Sequence, residues 1–223
     1  KFCREQLSEI DKVRIFITPG TRHPRGPGSF LSLLSTVGDT ISIPSNGGQR
    51  TVKGWTEREI VNVPAPLGNR CTYYVVDVPD YYLQPIQFEV KSVDFKIGSE
   101  IDFLNRLFAC VRWLKETFGI HNFRIFIPFF RVMVFIASFF GTTQGAVMVK
   151  VIGENKSGRK EMMASVFAGT RGEIIPAILP SLAVQMILNN DIKISGIVSL
   201  PDWLSKEKFV NEFHKRGIEF TMQ

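Results

Sequence analysis

Three ionisable side chains in the first half of the chain are candidates for binding a substrate. Arg58 and Arg70 carry planar guanidinium groups, which bind a carboxylate or a phosphate through paired hydrogen bonds. Asp77 follows them in the same β-rich region and could orient a polar group of the substrate. A solvated charge on a strand is the alternative for each residue. The sequence therefore predicts substrate binding by Arg58, Arg70 and Asp77 and leaves the catalytic residues open.

A second candidate is the Pro- and Gly-rich loop at residues 19–28, which contains Arg22 and Arg25 and ends at Gly28. A helix is predicted from Ser29, and the free backbone N–H groups at the start of a helix attract anions. We therefore predict an anion-binding loop made by Arg22, Arg25 and Gly28. A plain connection into the helix is the alternative.

Other catalytic patterns are absent from the sequence. The three cysteines lack paired spacing, which argues against a disulfide framework and for a reducing compartment, so we expect a cytoplasmic protein. The three histidines are scattered, and no metal site is predicted. No Gly-x-Gly-x-x-Gly motif connects a strand to a helix, so no complete dinucleotide site is predicted. Basic and aromatic residues do not interleave, so we predict no nucleic-acid partner.

The elements that must position these residues favour an α+β fold with a mixed, largely antiparallel sheet and helices packed on it. Strands are predicted in runs and helices in separate blocks, which is not the pattern of a doubly wound sheet. We expect one domain spanning residues 1–223. Strands are predicted at 12–18, 50–53, 58–63, 71–76, 87–97, 146–152, 160–167 and 218–222, and helices at 1–9, 29–37, 99–118, 170–188 and 205–216. Ser99 and Ser205 are predicted to cap two of these helices, and hairpin turns are predicted at residues 45–48 and 153–158.

Residues 125–140 are apolar almost throughout, with Pro128 near their start and Arg131 inside. The run is too short to span a bilayer, which requires about 20 apolar residues, and Arg131 would be costly in its centre. We predict a helix that is buried on most sides or lies at a subunit interface. A helix on a membrane surface, giving weak peripheral association, is the alternative.

Three stretches, taken in order, resemble the saccharopine dehydrogenase-like family. Residues 20–38 place a Gly-rich loop before a helix of small residues. Residues 53–70 are similar to the family's Trp-x-x-Arg strand followed by Pro-x-Pro-x-Gly. Residues 196–218 resemble its closing Gly-Val-x-x-Pro-Glu segment, helix and Arg-Gly-Ile strand. The resemblance covers nearly the whole chain, but only the part of the family that follows its Rossmann domain.

This resemblance implies the substrate-binding and dimerisation domain of an oxidoreductase that uses NAD or NADP. It implies a fold similar to the C-terminal domain of glyceraldehyde-3-phosphate dehydrogenase. An N-terminal Rossmann domain outside this chain would hold the cofactor. The start of this sequence at Lys1 also suggests such an upstream domain. We therefore expect the chain alone to be inactive. The expected substrate is an amino-acid conjugate or an enoyl lipid. Ala65 and Pro66 replace expected polar contacts, which argues against saccharopine itself. A non-catalytic binding module of the same fold is the alternative.

Overall fold

The centre of the computed structural model is a seven-stranded mixed sheet; residues 6–120, 123–193, 196, 198 and 200–223 are described. Its strands are β1 (Glu9–Pro19), β4 (Glu59–Val63), β5 (Gly68–Tyr74), β6 (Ser92–Ile97), β7 (Gly145–Asn155), β8 (Gly158–Ala168) and β9 (Glu219–Met222). They lie in the order β4-β5-β6-β1-β7-β8-β9. β1 and β6 are parallel, and the other neighbouring strands of this sheet are antiparallel. A separate hairpin consists of β2 (Thr40–Ser45) and β3 (Gly48–Lys53).

Seven α-helices accompany the sheet in the described part of the chain. They are α1 (Pro27–Thr36), α2 (Asp80–Phe88), α3 (Asp102–Phe118), α4 (Ile127–Ser138), α5 (Ile175–Leu188), α6 (Leu200–Trp203) and α7 (Lys206–His214). Short 3-10 helices precede α4 and α5. The mixed, mainly antiparallel sheet with its helices confirms the predicted α+β class.

Helices bury the apolar face of the sheet. Strand β1 alternates, so that Val13 and Ile15 point into one hydrophobic core together with Tyr81 of α2. A second core contains Phe30 of α1 and Phe108 of α3. Further core residues come from α5 and α7 beside β8 and β9. This packing holds the start of α1 close to the ends of β1 and β6.

The hairpin β4–β5 folds over the opposite face of the sheet. Val61, Val63 and Leu67 pack in one cluster with Phe16 of β1 and Met148 of β7. Strand β4 is three positions from β1 in the strand order. The sheet must therefore curl to bring these side chains into contact.

The predicted strand over residues 87–97 is wrong in its first half. Helix α2 extends to Phe88, Glu89 ends it in the left-handed conformation, and β6 begins at Ser92. The hydroxyl of Tyr81 donates to the carbonyl oxygens of Val75 and Phe95, which fixes α2 against β6. A short apolar alternation does not separate a strand from a helix end, and this tertiary contact decides between them.

Two predicted helix starts also differ from the structure. Residues 1–5 lie outside the described residues, and residues 6–9 form a turn and the start of β1 instead of a helix. Ser99 does not cap α3; Ile101 stands at the N-cap, and the Ser99 backbone N–H donates to Asn105 Oδ1. The predicted cap of α7 is confirmed, because Ser205 Oγ accepts from the Lys208 N–H at 3.2 Å.

The apolar run at 125–140 forms α4, but it is not buried on most sides in this chain. Phe130 and Ala137 are buried, whereas Phe135 is 64% exposed. Burial on most sides is therefore not found within this chain, because the other helices cover one side of α4 alone. The other half of the prediction, a helix at a subunit interface, stays a prediction. Among the described residues, no helix is long and apolar enough to cross a membrane.

Candidate functional site

A cleft of about 680 Å³ lies beside the start of α1 and the ends of β1 and β6. Its lining includes Arg25, Gly28 and Ser29 from the start of α1, and Asp77 from the segment after β5. The volume is within the range of about 300–1,000 Å³ that is usual for small-molecule sites. The structure therefore brings Asp77 to the same cleft as Arg25 and Gly28, from which it is distant in the sequence.

Local sequence keeps the α1 side of the cleft open. Pro27 occupies the first turn of α1, where its missing N–H costs nothing. The N-cap residue Gly26 is extended and provides no side-chain cap. A Cβ atom built at Gly28 would meet nothing within 4 Å. The space beside Gly28 is thus open to a group bound in the cleft, whereas the Ser29 N–H already donates to the Gly26 carbonyl oxygen at 3.1 Å.

Asp77 lies in a turn between β5 and α2 with a φ of 61°. This left-handed conformation costs an L-residue on the order of 1 kcal/mol, and a short polar side chain such as Asp tolerates it better than most. The turn places Asp77 at the cleft, and its role in orienting a substrate stays a prediction.

Trp55 forms a rigid apolar part of the lining. Its indole N–H donates to the carbonyl oxygen of Asn105 at 2.6 Å. Its ring stacks on Tyr73 with 5.3 Å between centroids and contacts Phe108 at 4.6 Å. The fully buried Asn105 side chain in turn hydrogen bonds both backbone groups of Ser99. This support was not predicted from the sequence, in which a lone buried Asn on an amphipathic helix gives no distinct signal.

A smaller basic pocket of about 200 Å³ adjoins the cleft. Arg22, Arg25 and Arg131 line it together with His23. Arg25 and Phe30 line both cavities. Burial lowers the pKa of the Arg25 guanidinium, and the nearby charge of Glu100 offsets part of that effect. The predicted anion-binding loop is therefore divided, with Gly28 in the cleft, Arg22 in the basic pocket and Arg25 in both.

Glu100 connects the loop after β1 to the segment before β7. Its Oε1 accepts from the backbone N–H groups of Thr21 at 2.7 Å and Thr142 at 2.6 Å, and its Oε2 accepts from the Thr142 hydroxyl. Burial raises the pKa of Glu100, but these hydrogen bonds outweigh burial and lower it overall. The carboxylate is thus occupied by the two loops, a role that the sequence analysis missed.

Arg58 and Arg70 lie outside the lining of the cleft. Arg58 donates to the Cys71 sulfur at 2.9 Å and stands 4.0 Å from Asp102. Arg70 donates to Gln144 Oε1 at 3.2 Å. Burial, followed by the contact with Asp102, raises the pKa of the Cys71 thiol in spite of Arg58, so this cysteine is not an activated thiolate.

Within the described residues, no group of three or more His, Cys, Asp and Glu side chains is arranged to hold a metal ion. Comparison with protein-family models and with curated proteins finds no match to this sequence.

Proposed function

We propose that this chain is the substrate-binding and oligomerisation domain of a saccharopine dehydrogenase-like, NAD(P)-dependent oxidoreductase. Its fold would be similar to the C-terminal domain of glyceraldehyde-3-phosphate dehydrogenase. The observation that carries the proposal is the convergence of Arg25, Gly28 and Asp77 on one cleft of about 680 Å³. Three of the six residues selected from the sequence thus face one space of the right size for a reactant.

The residues present suit the reactive end of a nicotinamide cofactor, with the rest of the dinucleotide held by another domain. The cleft combines apolar side chains such as Trp55 and Phe108 with polar groups at its edge, as small-molecule sites usually do. Bound NAD or NADP would donate or accept a hydride there.

This chain's own residues would hold and orient the substrate. Arg25 would bind an anionic group of the substrate through its guanidinium, and Asp77 would accept a hydrogen bond from an amine or hydroxyl group. Trp55, held by Asn105 and Tyr73, would exclude water from one side of the reacting carbon. Fixing the substrate in this way lowers the barrier by orientation.

Replacement of Arg25 by Ala or Asp77 by Asn is expected to reduce kcat/KM at least about tenfold, because each removes one charge-assisted contact with the substrate. The measurement is NADH or NADPH oxidation by the protein from the full reading frame, with amino-acid conjugates and enoyl lipids as substrates. Arg159→Ala, an exposed arginine in the β7–β8 hairpin, is the matched control. A full reading frame without a nucleotide-binding domain would contradict the proposal, as would unchanged kinetics in both cleft variants.

A second candidate function is peripheral membrane docking, which the exposed face of α4 favours. Phe129, Phe135 and Ile136 on α4 are all about half exposed or more, and Phe139 follows them at 66% exposure. Phe135 and Phe139 pack edge to face at 5.2 Å between centroids, forming one apolar ridge. Arg131 on the same helix is exposed and could contact anionic headgroups.

We expect the Phe135→Ser, Phe139→Ser double variant to lose flotation with anionic liposomes at least fivefold if α4 docks on membranes, because burial of two aromatic rings is removed. Tyr82→Ser with Ile86→Ser, two exposed apolar positions on α2, is the matched control. Absence of flotation by the wild type would eliminate this candidate. Conversion of a wild-type dimer to a monomer by the same variant would assign the ridge to the subunit interface instead.

A further inference from the structure

The basic pocket has the composition of a site for a dianion. Three guanidinium groups line it, from Arg22 and Arg25 in the loop after β1 and from Arg131 on α4. No acidic side chain belongs to the lining that the structure describes. Arginine forks bind phosphate oxygens in pairs, and three forks exceed what one singly charged carboxylate with two oxygens can satisfy.

Two of the arginines are held in place before any ligand arrives. Arg22 Nε donates to the Ser138 carbonyl oxygen at 2.8 Å and its Nη2 donates to the Phe139 carbonyl oxygen at 3.3 Å. Arg25 Nη2 donates to the Gly20 carbonyl oxygen at 2.9 Å. These acceptors are neutral carbonyl groups, so they orient the guanidinium groups without cancelling their charge. A preorganised site loses less conformational entropy when it binds.

The carboxylate of Glu100, whose charge acts on Arg25, already accepts hydrogen bonds from other residues. Glu100 influences Arg25 through its charge, but its two oxygens accept hydrogen bonds from Thr21 and Thr142. Arg131 makes no ion pair within the part of the chain that the structure describes, and its side chain is exposed. The positive charges of Arg22 and Arg131 therefore remain available to an anion, whereas Glu100 offsets part of the charge of Arg25.

We propose that this pocket binds the phosphate group of a phosphate ester, with the apolar part of the ligand against Phe30, Val134 and Phe135. These three side chains line the pocket beside the arginines. The volume of about 200 Å³ accommodates a phosphate group and a few further atoms, not a nucleotide. The pocket shares Arg25 and Phe30 with the cleft, but phosphate binding there requires no hydride transfer and would exist in a protein without redox activity.

The test is calorimetric titration of the chain with inorganic phosphate, with acetate and with a short alkyl phosphate, in low salt and without any nicotinamide cofactor. We expect phosphate and the alkyl phosphate to bind and acetate to bind at least tenfold more weakly. Arg131→Ala should weaken phosphate binding about tenfold, since one charge-assisted contact is lost. Arg131→Ala is the primary test variant because the Arg131 side chain is exposed. Arg22→Ala is less suitable, since it also removes the hydrogen bonds to the Ser138 and Phe139 carbonyl groups.

The control is Arg159→Ala, which makes the same change of charge at an exposed position on β8. Its phosphate affinity should stay within twofold of the wild type. Vesicles that contain phosphatidic acid, compared with the alkyl phosphate at equal phosphate concentration, distinguish a lipid headgroup from a soluble ester. The site is supported if the wild type binds either ligand and the Arg131→Ala variant does not. No binding to any phosphate probe, equal affinity in Arg131→Ala, or acetate binding as tight as phosphate would overturn it.

Discussion

Gly98→Ala is expected to prevent this chain from folding. Gly98 follows β6, and its N–H donates to the Ile17 carbonyl oxygen at 3.1 Å. A Cβ atom at this position would lie 1.7 Å from the carbonyl oxygen of Cys71 and 2.8 Å from its carbonyl carbon. Both atoms belong to the backbone of β5, so no side-chain rotation relieves the clash. The strands β5 and β6 would have to separate, at a cost above about 4 kcal/mol, which is much of the stability of an ordinary domain.

Urea unfolding followed by circular dichroism measures the effect of Gly98→Ala. The matched control is Gly28→Ala, because a Cβ atom there meets nothing within 4 Å and the residue lies in the first turn of α1. Alanine should leave the free energy of unfolding unchanged or raise it by up to about 1 kcal/mol at that position. An unfolding midpoint of Gly98→Ala equal to that of the wild type would show that β5 and β6 are not packed as closely as described.

Elements with a local signal were predictable from the sequence. The turn at Asn46 and Gly47 joins β2 and β3, and the turn near Ser157 joins β7 and β8. Both turns contain residues that accept a positive φ. Ser205 was correctly predicted to cap α7 because its hydroxyl needs a partner just three residues away. These features depend on neighbouring residues and not on the rest of the fold.

The arrangement of the candidate site required tertiary structure. Arg25 and Gly28 are close in sequence, but their position beside Asp77 depends on how α1 packs against the end of β6. The hairpin containing Arg70 curls over the sheet, so Arg70 reaches Gln144 and does not line the cleft. No sequence pattern indicates such a curl.

Supporting residues gave even weaker signals. In the sequence, Glu100 does not differ from other charged residues near a helix start. Asn105 likewise does not differ from other polar residues on an amphipathic helix. Their roles can be assigned when their hydrogen-bond partners are known. Glu100 binds Thr21 and Thr142, and Asn105 binds the backbone of Ser99. Hydrogen bonds between distant segments leave no periodicity in a sequence.

A buried ionic network stabilises the polar face of the sheet. The carboxylate of Asp94 on β6 is 6% exposed and lies 2.7 Å from Lys12 Nζ and 3.0 Å from Arg14 Nε. It also accepts a hydrogen bond from the Tyr74 hydroxyl at 2.6 Å. Arg14 contacts Glu59 of β4 as well. The network thus connects β1, β6 and the β4–β5 hairpin that curls over them.

The pKa of Asp94 shows how closely it depends on this network. Burial alone raises the pKa, but the hydrogen bonds from Lys12 and Tyr74 and the charges of Lys12 and Arg14 outweigh burial and lower it overall. A carboxylate whose pKa is lowered in the folded state contributes stability above its unfolded-state pKa of about 3.9. That contribution is lost as the pH falls through the lower folded-state value.

Asp94→Asn is therefore expected to lower the free energy of unfolding at pH 7 by about 3 kcal/mol, because it leaves Lys12 without its buried counter-charge and Arg14 with Glu59 alone. The difference between wild type and variant should shrink below about pH 4, where the carboxylate begins to be protonated in the unfolded state while it is still ionised in the folded state. Urea unfolding at pH 7 and pH 3 measures both effects.

Glu161→Gln is the control for the general loss of one negative charge. Glu161 is 55% exposed and pairs with Lys150 at 2.6 Å, so its removal should cost less than about 1 kcal/mol and add little acid dependence. If Asp94→Asn behaved like Glu161→Gln at both pH values, the contacts of Asp94 with Lys12 and Arg14 would not help to hold β1 and β6 together. The curl of the sheet would then depend on the apolar cluster of Phe16, Val61 and Met148 and on the ion pairs of Glu59 with Arg14 and Lys96, because the hairpin makes these contacts without Asp94.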